Sequence, residues 1–201
     1  MNLGELRVTF IVVTAVLTLL VASPALSYVL VYPRTEFFTE LWLLGPAHMA
    51  EDYPFNVSRG RSYSVYLGVG NRLGYCAYYV VELKFRNESQ PAPNSFNRTS
   101  SGLPSLLNIT AFVADESVWE RNITFSFDYN LNRTLFNVEF NSLVLDGVTL
   151  RLDGLSTMWN ASTSRFYGDL IFELWLYNSS VDDFVYHERF VDLKLNMTVV
   201  S

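Results

Sequence analysis

Two histidines, one cysteine, twenty acidic residues and four tryptophans are the side chains that could carry chemistry in this 201-residue sequence. His48 and His187 lie far apart along the chain. Either could act as a base or a ligand, but two histidines without a third partner read as ordinary surface or loop residues. Cys76 stands between Tyr75 and Tyr78-Tyr79, near a strand start. Nothing beside it would stabilise a thiolate, so it reads as a buried structural thiol. The pairs Glu51-Asp52, Asp115-Glu116 and Asp182-Asp183 fall in expected loops. Clustered loop carboxylates can hold Ca²⁺, but such pairs are more often solvated turns. A glycosidase needs two carboxyls facing each other across a cleft. With twenty acids some pair is inevitable, so the sequence gives that idea no support. Trp42, Trp119, Trp159 and Trp175 could stack on a sugar or pack in a core. No nucleophile elbow, Walker loop, zinc-protease helix or EF-hand loop is present. No catalytic residue, metal site or cofactor is expected.

One strand holds the most suggestive surface. Around Trp175, Ile171, Glu173, Trp175 and Tyr177 alternate with Phe172, Leu174 and Leu176. A strand apolar on both faces is either central in a sheet or part of a contact surface. Ile171, Trp175 and Tyr177 are therefore the candidate contact surface, with simple burial as the competing reading.

The elements that would position these residues begin with composition. About 50% of residues are apolar, 15% aromatic and 17% charged. That much apolar surface excludes disorder of the whole chain. A net charge of −6 leaves no basic stripe for phosphates, so no nucleic-acid partner is expected. One cysteine excludes an intrachain disulfide.

From Val8 to Pro33 there is no charged side chain. As a helix, residues 8–32 are longer than the roughly 30 Å hydrocarbon core requires at about 1.5 Å per residue. The alternative is a cleaved signal peptide, with Ala25-Leu26-Ser27 as the cleavage site. The apolar run continues past that site to Tyr32, which favours an uncleaved anchor. Pro24 kinks but does not forbid a membrane helix. Arg7 and Arg34 balance each other, so basic residues do not set the orientation.

Asn-x-Ser/Thr does bear on orientation. It occurs at Asn56, Asn87, Asn97, Asn108, Asn122, Asn132, Asn160, Asn178 and Asn196. Composition alone would give roughly two such acceptors. Nine, all after Pro33, place residues 33–201 on the glycosylating, extracellular side, with residues 1–7 a short cytoplasmic N-terminus. The competing explanation is a β-rich composition that favours Asn and Thr near turns.

Period-2 alternation dominates after residue 60, in Ser62–Val69, Tyr79–Arg86, Asn122–Phe127, Phe136–Asn141 and Val191–Thr198. Further strands are expected over residues 37–44, 106–113, 142–152 and 167–177. Asp146-Gly147 between two apolar runs predicts a type I′ hairpin, and Asp153-Gly154 a second turn. Residues 87–104, rich in Ser, Asn and Pro, predict a mobile loop. Eight to ten antiparallel strands without helical periodicity argue an all-β, immunoglobulin-like β-sandwich ectodomain.

Thr39-Glu40-Leu41-Trp42-Leu43-Leu44-Gly45-Pro46, Asp52-Tyr53-Pro54-Phe55-Asn56 and Gly68-Val69-Gly70-Asn71 form a recognisable set of blocks. Trp119-Glu120-Arg121-Asn122-Ile123-Thr124-Phe125 and Arg189–Asn196 follow. Together they resemble the extracellular part of archaeal membrane proteins of the family called domain of unknown function 1616. The resemblance covers roughly residues 28–201, with residues 130–160 poorly matched. It implies a membrane topology and an archaeal origin; the family has no activity to transfer. Typical members carry several membrane helices ahead of this region, whereas one is expected here. Physically, Gly45-Pro46 breaks a strand and Tyr53-Pro54 fixes an extended turn, so the first blocks read as shaping a connection.

The expected function is a membrane-anchored, glycosylated, non-enzymatic surface protein acting through an envelope protein partner. The alternative is an envelope carbohydrate-binding module or a carboxylate-dependent enzyme.

Overall fold

The structure, a computed structural model, describes residues 3–30, 36–132, 134–152 and 154–198. It divides into two units, Met1–Phe37 and Phe38–Ser201.

The first unit is the helix α1, Leu3–Leu30. Its stretch Leu6–Ser23 is long and apolar enough to cross a membrane, and none of it is buried within the protein. A helix apolar on all sides has no aqueous face, which suits lipid and not a water-exposed surface. The hydroxyls of Thr14 and Thr18 donate to the carbonyls of Phe10 and Thr14, each at 2.7 Å, so neither brings an unmet donor into an apolar phase. Residues 31 and 32 of the expected span lie outside the described residues.

The second unit is all-β. Among the described residues eleven strands follow in order: β1 Phe38–Leu44, β2 Asn56–Ser58, β3 Tyr63–Arg72, β4 Ala77–Asn87, β5 Leu107–Val113, β6 Val118–Asn132, β7 Asn137–Leu145, β8 Val148–Arg151, β9 Ser156–Asn160, β10 Arg165–Asn178 and β11 Asp183–Thr198. One flank runs β1-β3-β6-β7, with β8 and β9 both on β7. The other runs β5-β4-β10-β11-β2. Among the described residues, the strand pairs are antiparallel except β2 with β11.

The sandwich expectation holds at the level of an all-β domain. The two flanks are not separate sheets, because β9 pairs with both β7 and β10. A tight turn at residues 161–164, with Ser164 N–H on the Asn160 carbonyl at 2.8 Å, sends the chain from one flank to the other without breaking the ladder. The result is one sheet curled into a half-barrel.

The concave side holds the core. Val65, Leu67 and Val69 of β3, Ile123, Phe125 and Phe127 of β6, and Leu143 and Leu145 of β7 come from one flank. Tyr79, Val81, Leu83 and Phe85 of β4, Leu170, Phe172 and Leu174 of β10, and Leu193 and Leu195 of β11 come from the other. Phe85 bridges them, its ring 4.7 Å from Phe140 and 5.6 Å from Phe127. These are the residues that the period-2 alternation places on one side, because burying that side is what sets strand register. At the β7–β8 hairpin both Asp146 (φ 47°) and Gly147 (φ 81°) are left-handed, as a type I′ turn requires. Gly154 also has positive φ, at 82°, while Asp153 lies outside the described residues.

Candidate functional site

The convex face of the β5-β4-β10-β11 flank can be mapped row by row from strand register. Phe112, Tyr78, Tyr177 and Phe184 form the row nearest the β10–β11 turn. Next come Thr110, Val80, Trp175 and Tyr186, then Asn108, Glu82, Glu173 and Phe190. Lys84, Ile171 and Asp192 follow, then Arg86, Asp169 and Lys194.

A convex face would ordinarily be wet. Here its middle is dry: Glu173 is 0% exposed, Ile171 1% and Lys84 2%. Residues 88–106 lie over it as a strap. Ser101 N–H donates to Glu173 Oε1 at 2.8 Å, and Arg86 donates to the Gln90 carbonyl at 2.8 Å. Arg98 meets Glu188 of β11 at 3.4 Å, and Leu106 N–H returns to the Leu83 carbonyl. Beneath the strap, Lys84 Nζ sits 2.7 Å from Glu173 and 2.9 Å from Glu82. Arg86 pairs with Asp169 at 2.7 Å. Burial holds the Asp169 carboxyl above its usual range, against the pull of Arg86. Paired charges can be buried only because each meets its opposite at hydrogen-bond distance.

Trp175 is half-buried at the edge of this region, 5.6 Å from Tyr186 and 5.6 Å below the Lys84 ammonium. Among the described residues, its indole N–H and the Tyr186 hydroxyl are buried without a hydrogen-bond partner. Desolvation, reinforced by Glu173 and Glu188, pushes Tyr186 up to about 12.

The strap leaves the first row open. Phe112 is 71% exposed, and Tyr78 and Tyr177 are each 38% exposed. Successive ring centroids along the row are 6.4, 6.4 and 5.6 Å apart, inclined at 51° to 66°. Phe184 also reaches Tyr78 at 5.2 Å. The Tyr177 hydroxyl donates to Asp182, and that hydrogen bond holds the phenol above its usual range. Four aromatic rings side by side on four strands, outside the core, are an apolar patch of the kind that marks a contact site.

The candidate residues therefore divide. Ile171 is buried under the chain's own strap, Trp175 is half-covered, and Tyr177 is open. Sequence reasoning missed Tyr78, Phe112 and Phe184. Their signal was present: Tyr78 and Phe112 are apolar residues on the sides of their strands opposite Tyr79 and Ala111.

Cys76 is exposed and not buried as expected. It lies in the turn just before β4 begins at Ala77, so the β4 core alternation does not reach it. His48 is exposed on a turn and meets Glu120 at 2.6 Å. His187 is partly buried, its Nε2 2.8 Å from Thr39 Oγ1; burial first, then Arg189, lowers its pKa. Thr39 continues to the buried Tyr79 hydroxyl at 3.1 Å and Tyr79 to Asn71 at 3.2 Å. This polar chain ties β11, β1, β4 and β3 together. Among the described residues, no group of three or more His, Cys, Asp or Glu could hold a metal ion. A groove of about 590 Å³ lies between Leu41–Leu43 and Phe190–Lys194; Asp192 is the one acid among its lining residues.

None of the nine sequon asparagines is buried. Four have a turn-forming role: the carboxamide oxygens of Asn87, Asn132, Asn160 and Asn178 accept the N–H two residues on. Asn56, Asn97, Asn108, Asn122 and Asn196 make no such turn among the described residues. Asn196 Nδ2 donates to Asn56 Oδ1 at 2.8 Å, because the two are neighbours in the parallel β2–β11 ladder.

The blocks that carried the family resemblance have structural work. Gly68 stands opposite Trp42, and Gly70 opposite Glu40. A Cβ on Gly68 would run into the indole, so glycine lets Trp42 lie flat on β3. Tyr53 donates to the outward carbonyl of Leu43 at 2.8 Å and Arg189 to that of Thr39 at 3.3 Å, which blunts the β1 edge. The family model described as "Domain of unknown function (DUF1616)" matches residues 33–138. The chain belongs to the DUF1616 family. The DUF1616 match runs from ahead of β1 into β7, so it contains the Trp42–Gly68 contact, the Thr39–Tyr79–Asn71 chain and three members of the β5-β4 half of the face: Tyr78, Lys84 and Phe112. β8 to β11, with Tyr177 and Phe184, lie beyond it. No curated protein matches the sequence. Among solved structures the chain is similar to a beta-glucosidase from Listeria innocua in complexes with glucose, gluconolactone and isofagomine. Identities are 11%, 10% and 11%, with TM-scores of 0.34, 0.33 and 0.33. The matches cover 84%, 84% and 82% of this chain but 17% of the enzyme's length. Likeness at that level carries no argument about activity.

Proposed function

We propose that this DUF1616 protein is an N-glycosylated surface protein of the archaeal cell envelope, held by α1 and acting through protein contacts without catalysis. In this reading the half-barrel is an immunoglobulin-like sandwich whose flanks β9 happens to join. The contact surface is the open row Phe112, Tyr78, Tyr177 and Phe184. The observation that carries the proposal is the boundary between strap and row. The chain covers the ion-paired middle of this face itself and leaves Phe112, Tyr78 and Tyr177 exposed beside it, with Phe184 partly exposed. Aromatic residues with little rotamer freedom are the usual anchors of an interface. Rings inclined at 51° to 66° do not present coplanar faces, so the row suits an interdigitating protein surface better than a flat sugar. The groove beside β11, with its single carboxylate, lacks the acid pair of a glycosidase.

The test is a charge placed on the row of the full-length protein. Phe112→Asp and Tyr78→Asp should shift the detergent-solubilised protein to a smaller assembly in size-exclusion chromatography while its melting temperature stays within a few degrees of wild type. An unchanged elution profile for both variants sinks the proposal.

A further inference from the structure

The chain enters the half-barrel at one end, and the two ends differ in chemistry. Phe38 opens β1 at the entry end. Register brings three turns to the same end. Phe38 lies opposite Arg72 at the close of β3, and the Asn71 N–H reaches the Ser117 carbonyl ahead of β6. Asn71 Nδ2 donates to the carbonyls of Tyr75, in the β3–β4 turn, and of Val113 at the close of β5. The start of β4 lies beside the close of β10, with Tyr79 opposite Leu176, so the β10–β11 turn is here too. Turn tips are ordinarily polar. Here Phe38, Tyr75, Val118, Val181 and Val185 are exposed.

The sequons show the opposite bias. Asn56, Asn87, Asn132, Asn160 and Asn196 lie at the other end of the barrel. Asn97 of the strap, Asn108 and Asn122 lie between. Asn178 is the exception at the entry end, and its carboxamide oxygen is held by the Ser180 N–H at 2.9 Å.

Taking α1 as the anchor proposed above, we infer that the entry end rests on the surface of the same bilayer, on uncharged or zwitterionic lipid headgroups. Fully extended, the eight peptide steps from Leu30 to Phe38 span about 27 Å. β10, with 14 residues, is about 46 Å long, or about 35 Å deep at a barrel-like tilt. The tether is shorter than the barrel is deep, so it holds the entry end, and not the sequon-rich one, toward the lipid. Tyr75 suits that boundary, with its ring in an apolar phase and its hydroxyl in a wet one. Asp115-Glu116 and Asp182-Asp183 rim the same end and repel anionic headgroups, so the attraction is apolar. The aromatic row stands on the convex side just behind this end, Tyr78 being three residues from Tyr75. Docking therefore narrows the partner of the row to a protein presented close to that membrane.

Cys76, exposed and next to Tyr75, is a native reporter. The full-length protein, labelled there with a nitrobenzoxadiazole maleimide, is reconstituted without partners into phosphatidylcholine vesicles. Quenching by nitroxide-bearing lipid should be strong at Cys76 and weak at the opposite end, read from Ala161→Cys in a Cys76→Ser background. Val118→Asp/Val181→Asp should cut the Cys76 quenching about fivefold, because acids enter a lipid interface reluctantly. Circular dichroism melts confirm that this variant is folded. Replacing part of the phosphatidylcholine with phosphatidylglycerol should also lower the quenching, and peptide mapping should find Asn178 bare. Equal quenching at the two ends overturns the docking, as does full quenching in the double variant, a rise with phosphatidylglycerol or a glycan at Asn178. Each leaves the contact-surface proposal standing, since the vesicles hold no partner. Phe112→Asp should leave the Cys76 quenching unchanged. Its loss in that variant keeps the docking but overturns the row as a protein contact surface, because lipid then holds it.

Discussion

Replacing Lys84 with Met should cost the β domain about 3–5 kcal/mol, the range for stripping one partner from a buried ion pair. The reason lies beneath the strap. Glu173 is 0% exposed, and its carboxylate meets Lys84 Nζ at 2.7 Å and Ser101 N–H at 2.8 Å. Met keeps most of the lysine stem but removes the ammonium, so Glu173 is left with one backbone donor and no opposite charge. At about 2–4 °C per kcal/mol for a domain of this size, the melting temperature falls by about 6–20 °C. The companion Glu173→Gln keeps an oxygen for Ser101 and removes the buried negative charge. The double variant Lys84→Met/Glu173→Gln should lie within about 1 kcal/mol of wild type, because the one carboxylate left without its partner, Glu82, is partly exposed to water. A double-mutant cycle followed by circular dichroism on the full-length protein isolates the coupling. A single-variant loss under about 1 kcal/mol, or a double variant no better than Lys84→Met, would refute the account of a strap anchored by buried charge.

Three further outcomes follow from the same structure. His187 has a lowered pKa in the folded chain, so between the unfolded value of about 6.5 and its folded value the unfolded state binds more protons. Stability should therefore be full above about pH 6.5 and decline as pH falls through that window, a slope that His187→Gln should flatten in pH-dependent melts. Peptide mapping should find glycan at Asn97, Asn108 and Asn122, which are exposed and make no Asx turn, and none at Asn87, whose half-buried Nδ2 donates to the Ser156 carbonyl at 2.7 Å. Asn56 and Asn196 should never carry glycans together, since one amide bonds the other. Trp175→Ala should cost about 2–3 kcal/mol in a thermal melt, less than a fully buried indole, because it removes the packing on Tyr186 and Lys84; a loss near zero would place Trp175 outside the folded face.

Much of the fold could be read along the chain because one physical rule dominates it. Burying one side of a strand enforces alternation, and β6 from Ile123 and the end of β11 show it most cleanly. β2 and β9 have three and five residues, too short for a period to emerge, and β9 is what joins the flanks. Glu82, Lys84 and Arg86 read as a solvated polar side. Alternation places them correctly off the core, yet says nothing of the strap that seals Lys84 from water. That cover comes from residues of loop composition, whose docking depends on single bonds such as Ser101 to Glu173. Trp175 and Tyr177 were recognisable from a strand apolar on both sides. Their neighbours Tyr78, Phe112 and Phe184 become a row only once register sets four strands side by side. Cys76 was misjudged because it sits one residue outside a strand, where alternation no longer applies.

Hydroxyl-radical footprinting tests the contact surface most directly. It compares the protein in intact membranes with the same protein separated from its partners as a monomer by dilution in detergent. Tyr78, Phe112, Tyr177 and Phe184 should be oxidised in the monomer and protected in the membrane, while exposed Phe96 and Phe136 are oxidised equally in both. Equal oxidation of all six residues in the two states would contradict the claim that this row is where the protein makes its contacts.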